Sequence, residues 1–176
     1  MNNTFSQCRF HFGTQDTVAK AGGSSLISQL DLFTSGWIGT AATFNENGVC
    51  TDTSPGGTLA GKVPALVAYI ISFTARGKPG WCLSDCNANN ATCSPASDLC
   101  TKGADYLRQN FTSDVLPRYQ AFAQGFAAAC GTTRPIIWEM EPDFYQYYDA
   151  AQGGGTRGQP GGPLSVTEAV NYMTQM

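Results

Sequence analysis

Two apolar runs on either side of a long amphipathic segment constrain this fold more than any other feature. Residues 63–73 are almost without polar side chains, and 135–138 has the sequence Pro-Ile-Ile-Trp. Runs of this length without alternation are typical of strands buried on both faces. In 104–130, apolar residues recur every three or four positions, which predicts a helix that Pro117 kinks or divides. Strand, helix and strand in this order predict a parallel βαβ unit.

Weaker signals extend this pattern towards both ends of the chain. Residues 9–13 and 32–33 indicate short strands, and 44–61, rich in turn residues, indicates a loop. A capping box, Ser165-Val-Thr-Glu168, predicts the start of a last helix. An eight-stranded barrel needs about 250 residues, and only about four strands can be counted here. We therefore expect an α/β fold in which 1–176 is a single domain: the N-terminal portion of a partial or distorted (β/α) barrel with parallel strands.

The cysteine content indicates an oxidising compartment. The chain has 7 cysteines, four of which lie in the polar segment 82–100. Two structures fit that segment: a disulfide-rich loop, or a zinc site made of four thiolates. The loose spacing of the four residues favours disulfides. We expect a secreted protein.

Composition also limits the partners. Charged residues make up 13% of the chain, the net charge is −3, and there is no basic stripe. A nucleic-acid partner is therefore not expected. No apolar stretch approaches the ~20 residues of a membrane-spanning helix, so a membrane partner is not expected either. We expect a monomer that binds a polysaccharide or oligosaccharide.

Three carboxylates follow the second apolar run within five residues: Glu139, Glu141 and Asp143. Pro142 cannot donate to a sheet ladder, so the strand is predicted to end there. Barrel enzymes carry their chemistry at the carboxyl ends of parallel strands. Cleavage of a glycoside needs a protonated carboxyl, and Asp143 is the candidate. The same residues allow a second interpretation, in which Asp143 caps a helix starting at Phe144 and the two glutamates are ordinary charged residues near a strand end.

Several side chains are candidates for contact with a sugar. Tyr145 and Tyr147 follow Asp143, and Glu139 and Tyr69 lie at the ends of the two apolar runs. The remaining candidates are Trp37, Trp81 and the single histidine, His11. The two tryptophans either stack on sugar rings or cover the core, and His11 either packs at a strand end or contacts the sugar.

The order of five short motifs resembles that of a known enzyme family. The motifs are Val63-Pro-Ala-Leu-Val-Ala-Tyr69, Asp85-Cys86, Tyr119-Gln-Ala-Phe-Ala-Gln-Gly-Phe-Ala, Ile136-Ile-Trp-Glu-Met-Glu-Pro-Asp143 and Glu168-Ala-Val-Asn-Tyr172. This order is similar to that of glycoside hydrolase family 6, the cellobiohydrolases and endoglucanases that cleave β-1,4-glucan. The resemblance implies a distorted (β/α) barrel that inverts anomeric configuration without a metal or organic cofactor. It also implies that Asp143 is the general acid and that Asp85 supports the acid and the water network.

A second, shorter resemblance concerns Glu141. Glu141-Pro142 is similar to the Asn-Glu-Pro strand end of retaining barrel glycosidases, where the glutamate is the acid/base, although Met140 stands in the position of the asparagine. The leading hypothesis is therefore a glycoside hydrolase acting on a β-linked glucan. The alternative is a non-catalytic carbohydrate-binding protein on a barrel scaffold, in which the acids only make hydrogen bonds.

Overall fold

A computed structural model of the protein describes residues 13–15, 32–34, 37–38, 46–81, 83–84, 97–149 and 155–176. The chain divides into two compact units. The first contains 1–38, 42–68 and 122–140, and the second contains 39–41, 69–121 and 141–176. No helix within the described ranges is both long enough and apolar enough to cross a membrane.

The described elements are short strands and helices. In chain order they are β1 (Gly13–Gln15), β2 (Leu32–Thr34), β3 (Trp37–Ile38), α1 (Glu46–Asp52), β4 (Val63–Ala68), α2 (Ile70–Gly77), β5 (Leu83–Ser84), β6 (Ser97–Asp98), α3 (Leu99–Asn110), a π-helical segment (Phe111–Val115), α4 (Leu116–Cys130), β7 (Ile137–Met140), α5 (Phe144–Asp149) and α6 (Val166–Gln175).

A parallel sheet lies at the centre of the first unit. β1 pairs with β2, β2 with β4, and β4 with β7, all in parallel. β3 also pairs with β4, and because β3 and β7 share the partners Val67 and Ala68, they lie on opposite edges of that strand. β2 and β4, and β4 and β7, pair in parallel and are separated in the chain by helices, which agrees with the predicted βαβ pattern. Closure into a barrel stays a prediction.

The second apolar run is less buried than predicted. β7 begins at Ile137, its residues are half-buried apart from an exposed Glu139, and among the described strands it pairs only with β4. A strand with one described neighbour keeps part of its surface open. The prediction of complete burial was therefore wrong.

Long-range contacts build the helical part of the first unit. Cys50 in α1 and Cys130 at the end of α4 form a disulfide with Cα atoms 5.0 Å apart. The Arg134 guanidinium donates to the Cys50 carbonyl oxygen at 2.9 Å and to the hydroxyls of Thr53 and Ser54 at 2.6 and 3.0 Å. These contacts hold the C-terminal turn of α1. The prediction that 44–61 is entirely a loop was therefore wrong.

The second unit is mostly helical and has its own core. Its buried side chains include Ile70, Leu99, Tyr106, Leu107, Val115, Tyr147 and Leu164. α2 occupies the second half of the first apolar run, where the sequence predicted strand up to residue 73, so that part of the prediction was wrong. The short strands β5 and β6 pair in parallel. Cys100, at the start of α3, is disulfide-bonded, as the disulfide interpretation of the cysteine-rich segment requires.

The long helical region is divided where the sequence indicated. It changes to π-helix over Phe111–Val115 and returns to α-helix at Leu116, one residue before Pro117. Because proline lacks an N–H, it cannot donate to the carbonyl four residues earlier. Gly131 then follows α4 with a φ of 75°, the left-handed conformation typical of a C-terminal cap, as predicted. The capping box of Ser165 and Glu168 is also present at the start of α6.

Candidate functional site

The candidate site is centred on Glu141, the first residue after β7. Its side chain is only 2% exposed. Its φ of 43° is the only positive value at a non-glycine residue in the described part of the chain. The left-handed conformation costs such a residue about 1–2 kcal/mol, and a residue before proline ordinarily adopts extended backbone. Contacts of the side chain must therefore hold Glu141 in place.

Two hydrogen bonds anchor the Glu141 carboxyl. Oε1 accepts from the backbone N–H of Ile71 at 2.8 Å and from the hydroxyl of Tyr119 at 2.8 Å. Ile71 lies in the first turn of α2, whose N-cap residue, Tyr69, makes no side-chain capping hydrogen bond. Glu141 thus supplies the acceptor that this helix needs, from a position 70 residues further along the chain.

Burial dominates the electrostatics of this carboxyl. It raises the pKa of Glu141 to about 8, although the hydrogen bonds from Ile71 and Tyr119 act in the opposite direction. The charge of Asp143 raises this pKa further. Oε2 is buried and has no hydrogen-bond partner within the described residues, so a proton there reduces the cost of burying a charge. Burial therefore favours the neutral, protonated form of the Glu141 carboxyl.

Tyr119 shares this dry environment. Burial raises the pKa of the Tyr119 hydroxyl well above its ordinary value, and the neighbouring Glu141 carboxylate adds to the effect. The phenol therefore stays protonated and remains a hydrogen-bond donor. The sequence predicted Tyr119 only as part of the apolar helix stripe. Because the periodicity of a helix shows which face is buried but not which distant group a hydroxyl meets, this role was missed.

Asp143 lies on the turn that follows Glu141. The Glu141 carbonyl accepts from the Phe144 N–H at 2.8 Å, and the Asp143 carbonyl accepts from the Gln146 N–H at 2.8 Å. α5 begins at Phe144, so Asp143 is the residue just before this helix. The helix therefore starts where the helix-cap interpretation of Asp143 predicted. Its side chain is only half-buried. Of the two neighbouring acids, Asp143 is the one that a ligand can reach.

The aromatic residues after Asp143 fall into two environments. Tyr145 is 64% exposed, and its hydroxyl accepts a hydrogen bond from the Gln146 amide at 3.1 Å. Tyr147 is 2% exposed and packs against Gly103, where an added Cβ would lie 3.3 Å from the Tyr147 backbone. Tyr145 is therefore the member of the predicted pair that presents an open face.

An apolar groove of 410 Å³ lies between α5 and α6. The side chains that line it include Phe144, Tyr145, Tyr148, Val166, Val170 and Met173. The Arg157 guanidinium lies 4.4 Å from the centre of the Tyr148 ring. No residue of α6 is buried, so the apolar face of this helix is open on the side of the groove.

A second groove, of 480 Å³, lies between the end of α2 and the junction of the π-helical segment with α4. It combines apolar side chains such as Phe73 and Pro117 with the charged residues Lys78, Asp114 and Arg118. Lys78 Nζ lies 2.7 Å from Asp114 Oδ2. This ion pair neutralises much of the charge in the groove.

Four other candidate residues lie in the described part of the chain. Trp81 packs edge-to-face on the buried Tyr106, with ring centres 5.5 Å apart, which agrees with the core-covering interpretation. Tyr69 is half-buried at the start of α2, and Glu139 is exposed on β7 of the first unit. For Trp37 the structure describes only the backbone, in β3. The predictions for Asp85 and His11 concern positions outside the described residues, and they stay predictions.

Neither a metal centre nor a relative identifies the chemistry. In the described ranges, no three or more His, Cys, Asp or Glu side chains are grouped so that they could hold a metal ion. No protein-family model, curated protein or solved structure matches the chain. The function must therefore be argued from the arrangement around Glu141 and Asp143.

Proposed function

We propose that this protein is a glycoside hydrolase that cleaves a β-linked polysaccharide, most simply a β-1,4-glucan. The observation that carries the proposal is the pair of acids just after a parallel strand. Asp143 is partly open to solvent, and Glu141, two residues before it, is buried. Glycosidases work with carboxyl groups at such strand ends, one of which donates a proton to the leaving oxygen.

The exposure of the two acids supports a division of roles. Glu141 is enclosed by protein, so it does not touch a substrate. Asp143 takes the role of general acid: its proton passes to the glycosidic oxygen while the bond from that oxygen to the anomeric carbon breaks. Water adds to the anomeric carbon and gives its proton to a base. Asp85 is the residue that the family resemblance suggests for support of the acid and this water.

The exposed ring of Tyr145 supports a sugar as the ligand. A pyranose presents C–H groups on its faces and hydroxyls around its edge, so it matches a flat aromatic face with polar groups beside it. Tyr145 offers the open face, and the Gln146 side chain lies within hydrogen-bond distance of its hydroxyl. We expect one sugar ring to stack on Tyr145 while the neighbouring glycosidic bond is presented to Asp143.

An oxidising location fits this activity. Polysaccharides are degraded outside the cell, and disulfides persist there. Cys50–Cys130 and the disulfide-bonded Cys100 support secretion.

The test is removal of the proton that Asp143 supplies. Asp143→Asn keeps the shape of the side chain but cannot act as an acid. Loss of a general acid typically lowers the rate about 10²–10⁴-fold, so release of reducing ends from soluble β-1,4-glucan should fall by that factor. Asp52→Asn, the same change at the end of α1 in the other unit, is the matched control and should hydrolyse like the unchanged protein. Equal activity of the two variants would refute the role of Asp143.

The exposure of Tyr145 also favours the second candidate, a carbohydrate-binding protein without catalysis. In that case the unchanged protein binds β-glucan in calorimetry but releases no reducing ends. Tyr145→Ala should then abolish binding, while Asp143→Asn should weaken it only slightly. Hydrolysis by the unchanged protein that disappears in Asp143→Asn excludes this candidate.

A further inference from the structure

We infer that Glu141 is the positioning residue for Asp143, a role that rests on the proposed function. Its buried side chain fastens the turn carrying Asp143 to the N-terminus of α2 and to Tyr119. Both contacts, with Ile71 and with Tyr119, lie within the second unit.

The backbone explains why such a fastening is needed. Only Pro142 separates the two acids, and the proline ring fixes φ at its own position. The backbone torsions of Glu141 therefore largely decide where the Asp143 carboxyl points. Glu141 holds a conformation that a non-glycine residue before proline rarely adopts. If its carboxyl were released, the turn would relax towards extended backbone and Asp143 would swing away.

The second support is the pattern of bonds on the Glu141 carboxyl. Oε1 accepts both hydrogen bonds, and Oε2 has no hydrogen-bond partner in the part of the chain that the structure describes. An acceptor at one oxygen is thus all that the fastening requires, and a glutamine can provide it. A methionine has a similar length but lacks this acceptor. The two substitutions separate fastening from simple filling of space.

The charge of Asp143 influences the protonation of Glu141. The groups that face Glu141 are the N–H groups of Ile70 and Ile71 on α2, the Tyr119 hydroxyl on α4 and the Asp143 carboxyl on the turn. Tyr147 on α5 also raises the pKa of the Tyr119 hydroxyl. Because the carboxylate form of Asp143 opposes ionisation of Glu141, Asp143→Asn, which cannot carry this charge, should lower the pKa of Glu141.

Kinetics of three variants test the positioning role. Glu141→Gln should keep kcat close to that of the unchanged protein, whereas Glu141→Met should lower kcat about 10²-fold, the typical cost of a reacting group displaced by about 1 Å. KM should stay unchanged, because Glu141 does not touch the substrate. Tyr119→Phe should lie between the two. Tyr106→Phe, which removes a buried hydroxyl from α3, is the matched control and should keep full activity.

Nuclear magnetic resonance supplies a readout that does not depend on hydrolysis. The carboxyl carbon of Glu141 is titrated in the unchanged protein, in Asp143→Asn and in Tyr119→Phe. The midpoint should fall in Asp143→Asn and rise in Tyr119→Phe, because the Tyr119 hydrogen bond stabilises the charged form. Unchanged midpoints in both variants overturn the inference, as does equal kcat in Glu141→Gln and Glu141→Met. If the unchanged protein hydrolyses no glucan, the proposed function fails, and the titration alone decides whether Glu141 is linked to Asp143.

Discussion

At the scale of single residues, Glu141 combines three features that are each unfavourable to folding. It is buried, it has a positive φ, and one of its carboxyl oxygens has no hydrogen-bond partner among the described residues. Strained and desolvated groups of this kind tend to occur at functional sites, where the surrounding structure compensates for their cost. The compensation here is visible in the bonds to Ile71 and Tyr119.

Glu141 should make stability depend on pH. Its pKa rises from an ordinary 4.5 in the unfolded chain to about 8 in the folded protein, so the folded state binds the extra proton between these values. Unfolding then releases a proton, and the stabilising contribution, complete below pH 4.5, is lost as pH rises through about 8. The loss approaches about 1.4 kcal/mol per pH unit within this window.

Urea unfolding at pH 5, 6.5 and 8 measures this effect. We expect the stability of Glu141→Gln, relative to the unchanged protein, to improve steadily from the lowest to the highest pH. Glu139→Gln removes an exposed carboxyl two residues earlier and should follow the unchanged protein at all three values. Parallel curves for all three proteins would contradict the burial of an ionisable Glu141 side chain.

At the scale of elements, local patterns were sufficient wherever local contacts decide the structure. The amphipathic stripe, Pro117, Gly131 and the capping box of Ser165 all predicted what is observed, because each acts within one or two turns of helix. The end of the first apolar run could not be predicted in this way. An apolar segment fits either a strand or a buried helix. The Glu141 carboxyl accepts a hydrogen bond from the first turn of α2, and because Glu141 is remote in sequence, local patterns could not show where this helix begins.

The same reasoning applies to α1 and to the candidate site. Turn residues in 44–61 concealed a short helix whose last turn is held by Arg134 and by the disulfide to Cys130. At the site, the sequence predicted that Glu141 and Asp143 follow a strand. It did not predict that one acid is enclosed and the other open, because exposure depends on Tyr119 and α2.

We expect the Arg134 guanidinium to stabilise the C-terminal end of α1 as a cap. Arg134→Met removes three hydrogen bonds to the end of this helix while keeping an unbranched side chain. We expect a loss of about 1–3 kcal/mol in the free energy of unfolding, together with faster amide exchange in the last turn of α1. Lys102→Met removes a positive charge from α3 in the second unit and should change neither quantity appreciably. Unaltered exchange in α1 of Arg134→Met would show that the disulfide alone holds it.

At the scale of the whole molecule, a low charge content coexists with an exposed apolar face. Only 13% of the residues are charged, and Val166, Val170 and Tyr145 each have more than half of their surface exposed. Exposed apolar surface lowers solubility when few charges surround it. The effects of the apolar face and of net charge on self-association can be separated at Val170, which is on the open face of α6.

We expect Val170→Lys and Val170→Glu to reduce self-association to a similar extent at pH 7, as measured by static light scattering. The first changes the net charge from −3 to −2 and the second to −4, since the unchanged chain carries −3. If the apolar face drives association, both polar residues help equally. Opposite effects of the two variants would show that net charge, and not the face, controls association. Both variants should change the free energy of unfolding by less than about 0.5 kcal/mol relative to the unchanged protein, because Val170 is exposed.

The disulfide between α1 and α4 has a consequence for biosynthesis. Its cysteines are 80 residues apart, so at about 5–20 residues per second Cys130 is synthesised about 4–16 s after Cys50. During this interval four other thiols emerge, those of Cys82, Cys86, Cys93 and Cys100. Several thiols other than Cys130, including that of the earlier Cys8, are therefore available to Cys50 first. We expect the Cys50–Cys130 bond to form partly by thiol–disulfide exchange, so that added disulfide isomerase speeds its formation during oxidative refolding.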